Sequence, residues 1–411
     1  MTTPSARAHL QVNSETSGQQ ALAGHAHTSL LSHLLYGLGD WIYSITVVIL
    51  AYQLSGRLAA AAAVLLFQAG GRLLGISISP AITASRVRQT ALGLGFVRAA
   101  LIGCLVLITS RDQLWVAVAI AAVLGVLSPF AETARRVITP VIIAPGHDRN
   151  LRSRLICRWD QMAMIGGSIA GGLVIVLWNE QIAFVAAAVM TLAAVLLISS
   201  SEPSPAVSNA TGNDWRSIRH LRAVRALLLA LAGGAALGIA IRILLVEIVL
   251  DQHGSSELMY GLFIALAGVG AFAGPLSVPR LLGKLPSEII LAGVTAALAV
   301  ALIAAHIAEP LLLVVPIIIG CGILAITGER AIETVVRRDV PDRELDGALR
   351  GLAAVAIAGQ TAALIVIVAL DYLSGVTPVV VGLTLISIFC AAIPILVYVN
   401  DRSRSTAGGG D

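Results

Sequence analysis

Charge is scarce in this chain. Of 411 residues only 12% are Asp, Glu, Lys or Arg, while 57% are apolar and the mean hydropathy is +0.90. That composition excludes a water-soluble globular domain. Lysine is nearly missing: Lys284 stands alone, and every other basic side chain is Arg. With abundant Ala, this usage points to a GC-rich bacterial coding background. The arginines are scattered between apolar runs, which excludes a nucleic-acid-binding surface. Aromatics make up only 4%, which disfavours a cavity built to stack planar molecules. The four cysteines, Cys104, Cys157, Cys321 and Cys390, lie far apart in or beside apolar runs. They form neither a metal spacing nor a disulfide framework and read as small buried side chains. A phosphate-cradling loop, a Ser-His-Asp arrangement and closely spaced metal ligands are all missing. The sequence therefore predicts no enzyme, cofactor, metal or nucleotide drive. Any work would draw on an ion gradient or on a substrate's own gradient.

What is present is long apolar runs. A bilayer core takes about 20 apolar residues per helix. Windows of that kind fall at 30–54, 58–82, 91–110, 113–130, 159–178, 181–199, 226–250, 258–277, 288–306, 310–327, 351–371 and 378–399. Their continuous apolarity, without alternation, predicts helices rather than a membrane barrel. With the N-terminus in the cytoplasm, Arg72, Arg98 and Arg242 fall within spans. Arg57 and Arg111 fall outside, and all other basic residues lie on the inner side. The positive-inside rule thus places both termini in the cytoplasm. Residues 1–29 carry no signal-like apolar stretch and are expected to be a disordered cytoplasmic tail.

The segment 200–225 is rich in Ser, Pro, Asn and Gly and reads as a cytoplasmic linker. It separates a six-helix bundle at 30–199 from a second at 226–399, with a tail at 400–411. Repetition supports this division. "ETARR" from Glu132 to Arg136 follows span four, and "ETVVRR" from Glu333 to Arg338 follows span ten. Ser79-Pro80 with Arg86 and Arg88 follows span two, and Gly274-Pro275 with Arg280 and Lys284 follows span eight. Corresponding loops are expected to hold corresponding places in two duplicated halves.

This layout resembles the major facilitator superfamily over about residues 30–399, and its bacterial drug, macrolide and siderophore efflux branch in particular. Span one reads "LGDWIYSITVVILAYQLSG", with the Gly39-Asp40 pair and Tyr52 of that branch. The stretch from Pro129 through Arg135 and Pro140 to the Gly-rich start of span five is also similar. Two signatures differ: Ser85 stands where the inner-loop signature has Asp, and "GSIAGG" keeps Gly167, Gly171 and Gly172 but has Ser168 in place of Pro. The resemblance implies an all-α membrane fold of two pseudo-symmetric bundles, with spans one, four, seven and ten lining a cavity. It also implies secondary active transport in a bacterial inner membrane, led by proton-coupled export of a hydrophobic or amphipathic small molecule. Nutrient uptake, or a non-transporting partner or sensor of the same fold, are the alternatives. The expected partners are substrate, protons and lipid, and the chain is expected to be monomeric.

Several charges stand out. Asp40 lies about 15 Å deep in span one, where a charge must face the interior or a counter-ion. Proton coupling and a structural carboxylate locked to an Arg are both open readings. Arg72 has a similar depth, with Gln68 one turn away, and an Asp40–Arg72 salt bridge is the expectation. Arg98 is close enough to the inner end of span three to snorkel to the interface. Arg242 is deeper, with Glu247 five residues on but on another face. It is open to an anionic substrate group, a gating carboxylate or an interhelical pair. Glu132, Arg135, Arg136, Glu333, Arg337 and Arg338, with Arg86 and Arg88, are candidates for a cytoplasmic gate. Gly167, Gly171 and Gly172 are read as close packing or as a surface that slides between states.

Overall fold

The computed structural model describes residues 4–78, 87–138, 149–199, 222–282, 286–308, 311–374 and 376–407. Among the described residues it is all helical. The helices are α1 (Pro4–Ser55), α2 (Leu58–Ile78), α3 (Val87–Cys104), α4 (Leu114–Ile138), α5 (Arg149–Leu177), α6 (Glu180–Ser199), α7 (Arg222–Glu247), α8 (Glu257–Leu282), α9 (Ser287–Ile307), α10 (Leu311–Asp339), α11 (Asp342–Ser374) and α12 (Val376–Ala407). A helix satisfies its own backbone groups, the condition for crossing hydrocarbon. Among the described residues, eleven helices have stretches long and apolar enough to span, and α12 contributes a shorter apolar stretch, Val376–Ala392.

The N-terminal tail, expected to be disordered, is helical from Pro4. α1 starts at Pro4, and its 52 residues run unbroken to Ser55. Proline suits the first helical position, where its missing N–H leaves nothing unpaired. The following Ala, Gln and Leu residues propagate a helix that the membrane segment has already nucleated. α12 likewise runs on to Ala407. Most of the expected linker, 200–221, lies outside the described residues, as do 79–86 and 139–148.

The packing has two-fold pseudo-symmetry. In the first half α1 packs on α5 and α6, α2 on α4, and α3 on α4 and α6. In the second half α7 packs on α11 and α12, α8 on α10, and α9 on α10 and α12. The two large seams between the halves, α5 with α8 and α2 with α11, exchange under the same symmetry. α1 ends at Gly56, of positive φ, and α7 runs on through a π-helical segment, Ile248–Gln252, before the chain turns at Gly254, also of positive φ. Gly56 donates its N–H to Tyr52 O at 2.7 Å, a left-handed helix cap.

Glycines set the register. Added Cβ atoms at Gly71 and Gly75 on α2 would meet Ala122, Val126 and Pro129 on α4, and one at Gly125 would meet Gln68 and Arg72. In the second half, Gly270 and Gly274 on α8 face Ile319, Ile323 and Ile326 on α10, and Gly322 faces Ala267 and Ala271. Small residues at these crossings let backbones touch, since lipid offers no hydrophobic drive for association.

The core is joined on one side only. Toward the ends of α1 and α7 at Ser55 and Glu247, here called the distal side, one apolar cluster takes in both halves. It includes Ile45 to Ala51, Ile243 to Val246, Phe184, Tyr260 and Leu364. Toward the termini the halves have separate cores. Tyr36, Ala131 and Ala194 form one, and Leu227, Leu291, Ile332, Leu345 and their neighbours form the other.

Candidate functional site

The charges of the membrane interior gather around α1 and α7, beneath the distal plug. Asp40 pairs with Arg98 of α3, whose side chain is only 2% exposed while that of Asp40 is 43% exposed. The Arg98 guanidinium also lies over the Tyr36 ring, 5.3 Å from its centre. This overturns two expectations: Asp40 does not pair with Arg72, and Arg98 does not snorkel. α3 crosses α6 and α4 closely, and that rotation turns Arg98 inward, where the nearest compensating charge is Asp40.

Arg72 instead pairs with Glu132 of α4, both side chains being partly exposed. The α2–α4 crossing at Gly71, Gly75 and Gly125 sets this pair, and Gln68 lies at the same crossing with its carbonyl against Gly125. Beside the same crossing, an open apolar groove of about 400 Å³ is lined by Leu66, Phe67, Leu74, Val123, Val126 and Thr361, of which Phe67, Leu74 and Val123 are exposed. It touches α2, α4 and α11, so it straddles one seam between the halves.

Arg242 of α7 reaches across to α1. Its Nη2 donates to the Ser44 hydroxyl and to Ser44 O at 3.3 Å, and its guanidinium lies 5.1 Å from the centre of the Trp41 ring. Tyr260 donates to the Arg242 carbonyl at 3.3 Å. Tyr43, fully buried, lies within electrostatic range of Arg98, Asp40 and Arg242. The Tyr43 hydroxyl and the Nε of Arg98 and of Arg242 are buried donors without a partner, and Gln161 Oε1 is an acceptor in the same condition.

Glu247 does not meet Arg242. It lines a polar distal cavity of about 280 Å³ with Tyr52, Arg57, Asp251, Asp371 and Tyr372. Its Oε2 is buried without a partner. The halves are tied here: Asp371 of α11 accepts the Ala59 N–H at the start of α2 (2.7 Å), Gln53 donates to Glu257 (2.9 Å), and Arg57 lies over Tyr372. Sequence reading missed Asp371, Gln53 and Ser44, which lie at helix ends or are ordinary span residues.

Toward the termini, Glu132, Glu333 and Arg337 pair within their own halves, while Arg330 of α10 also bonds Cys157 of α5 across the halves. Glu333 accepts from Arg330 and from Arg337, the latter at 2.7 Å, on the same helix. Arg338 is exposed. Arg86 lies outside the described residues, as do the side chains of Arg88, Arg135 and Arg136. The repeated Glu-Thr-Arg segments do not occupy equivalent places. The step from Gly125 to Glu132 leads from Gly322 to Glu329, so Glu333 is one helical turn farther along. His33 of α1 also binds Asp160 of α5 here, at 2.8 Å.

The span-five glycines divide between two partners. A Cβ at Gly167 would lie 2.7 Å from Trp41 Cβ, and one at Gly171 would lie 3.3 Å from Ile42 Cα, so both face α1. Gly172 faces α8 across the seam, 2.9 Å from Glu257 O and Leu258 Cα. Ser168, where the resemblance has Pro, is buried against Gly261 of α8.

A family model described as the Major Facilitator Superfamily matches residues 29–344. No curated protein matches the sequence. Several solved structures share the fold. A POT family transporter in complex with a thioalcohol-conjugated peptide has a TM-score of 0.70 at 12% identity, covering 92% of this chain and 96% of that one. The nucleoside transporter NupG has a TM-score of 0.67 at 14% identity, covering 90% and 99%. A bacterial homologue of the iron transporter ferroportin, in an inward-facing state, has a TM-score of 0.67 at 17% identity, covering 92% and 98%.

Proposed function

The chain belongs to the Major Facilitator Superfamily, a multi-pass membrane transporter by family and fold, and from that premise we propose that it exports an amphipathic small molecule by proton-coupled alternating access. The observation that carries this reading is the one-sided core: one apolar cluster joins the halves distally, while each half has its own core toward the termini. Two bodies hinged on exchangeable seams are what alternation between two access states requires.

In the proposed placement both termini face the cytoplasm of a bacterial inner membrane, so the open side faces inward. Residues 30–199 and 226–399 are the rocking units. Glu132, Arg135 and Arg136 with Glu333, Arg337 and Arg338 form partners across the inner mouth when the cavity turns outward, and Glu132 and Glu333 then give up the arginines they hold within each half. Export is supported by the likeness of Gly39-Asp40 to the efflux branch. Asp40 is the coupling group in this reading: it exchanges Arg98 for a proton from the cavity, and the Tyr36 ring and Tyr43 hydroxyl receive the released guanidinium.

The test is a compound screen in an efflux-deficient host, followed by substrate-driven proton flux in proteoliposomes. The expected result is flux of opposite sign to substrate movement, lost in Asp40→Asn. Substrate and proton moving together in the inward direction would establish uptake instead. Wild-type pH dependence in Asp40→Asn would remove Asp40 from coupling.

A further inference from the structure

Arg242 is the unbalanced charge of the membrane interior. Arg98 has Asp40, and Arg72 has Glu132. Among the described residues no carboxylate pairs with Arg242. Glu247, on its own helix, faces the distal cavity with Asp251 and Asp371, and Glu257 is engaged by Gln53. Its side-chain partners are all neutral: the hydroxyl and carbonyl of Ser44, the Tyr260 hydroxyl and the face of Trp41. A guanidinium held among apolar helices without an anion is costly, and such a residue is kept for a partner that arrives.

Among the described residues of α1, α3 and α7 the buried donors without a partner are Arg242 Nε, Arg98 Nε and the Tyr43 hydroxyl, the last able also to accept, while Gln161 Oε1 and Glu247 Oε2 are acceptors in the same condition. Tyr43 is fully buried and Arg98 nearly so, so water does not relieve them. The position is also apt. Arg242 bridges α7 to α1 at the lower edge of the distal plug, where a bound group touches both halves at once.

We infer that the substrate is an anion, a carboxylate or equivalent oxyanion on an aliphatic body, whose acidic group docks on Arg242 with Tyr43 as a second donor. This rests on the transport reading and specifies its substrate class. Guanidinium suits the group because its fork of donors matches two carboxylate oxygens. The aliphatic body suits the aliphatic residues beside Ser44 and Arg242 in the chain, among them Ile45, Val48, Ile241 and Leu245. Displacement of the Ser44 contact by the acidic group would loosen α1 from α7, linking occupancy to distal opening.

Binding of octanoate, octanamide and octylammonium is measured on the full chain in nanodiscs of zwitterionic lipid, by thermal shift and tryptophan fluorescence. Octanoate is expected to bind in clear preference to the other two and to perturb a signal that Trp41→Phe removes. Arg242→Gln is expected to weaken octanoate by about tenfold or more, the loss of a charge-assisted hydrogen bond. Arg242→Lys and Ser44→Ala, which keep the charge, are expected to retain the preference. Should Arg242→Gln fail to fold, the ranking of the three probes on wild type and on Arg242→Lys still decides. Equal binding of octanamide or octylammonium, or unchanged octanoate binding in folded Arg242→Gln, overturns the inference. The assay needs no gradient, so octanoate binding without proteoliposome flux would defeat the transport reading and leave this one standing. Flux of a neutral or cationic solute without octanoate binding would do the reverse.

Discussion

Arg98 and Arg72 show how differently two arginines in one bilayer can be bound. Arg98 is almost wholly buried, and removing its counter-charge strands it. Asp40→Asn is expected to lower stability by about 3 kcal/mol, at the low end for a broken buried pair because the Asp40 carboxylate itself is half-exposed. A fall in the melting temperature of the purified protein reads this out. The double variant Asp40→Leu/Arg98→Met should recover most of that loss and still show no pH-dependent transport, which separates scaffold from coupling. Glu132→Gln is expected to cost under about 1 kcal/mol in the same melt, since both it and Arg72 are partly exposed. Depth alone picked out Asp40 as a site but pointed to Arg72 as its partner, where the structure has Arg98. Arg72 and Arg98 are both within reach along the chain, and the choice between them depends on how α2 and α3 are rotated about their axes.

The elements are distinguished by where their glycines point. Gly70 and Gly71 are sequence neighbours on α2, yet a Cβ at Gly70 meets nothing within 4 Å while one at Gly71 runs into the Ala122 carbonyl. Gly70→Ala is therefore expected to be neutral or slightly stabilising, and Gly71→Ala to cost about 1–3 kcal/mol by forcing α2 from α4. Melting temperatures of the two variants check the contrast. Gly172→Val tests the α5–α8 seam, where the added side chain would press on the Glu257 carbonyl and Leu258. It should raise labelling of a cysteine placed at distal residue Gln53, in a cysteine-free background, by holding the halves apart. Unchanged labelling would mean that the seam yields without opening the plug. The "GSIAGG" pattern identified a packing surface, but not that Gly167 and Gly171 serve α1 while Gly172 serves the other half.

For the whole molecule the distal ties are the observable of alternation. Asp371 caps the start of α2 across the halves, and Gln53 holds Glu257. Asp371→Ala is expected to shift the population toward the distally open state, seen as longer spin-label distances between α1 and α8. Cysteines at 53 and 257 joined by a short bifunctional reagent should abolish transport until the link is reduced. Twelve helices, their approximate bounds and the division into halves were legible in the sequence, because hydrocarbon thickness sets helix length and loop polarity marks the division. The duplicated Glu-Thr-Arg segments were legible too, but their register was not. A one-turn offset is invisible to a motif and is settled by the backbone contacts at Gly125 and Gly322. The sequence by itself determined that charges lie within the membrane, since burial of an Arg or Asp in a span is read from position alone. Only the tertiary structure decided which charges neutralise each other and which side is closed, because those depend on helix rotation and on distances between segments far apart in the chain. Among the described residues, that pairing leaves Arg242 as the span arginine without a carboxylate, the opening for the proposed ligand.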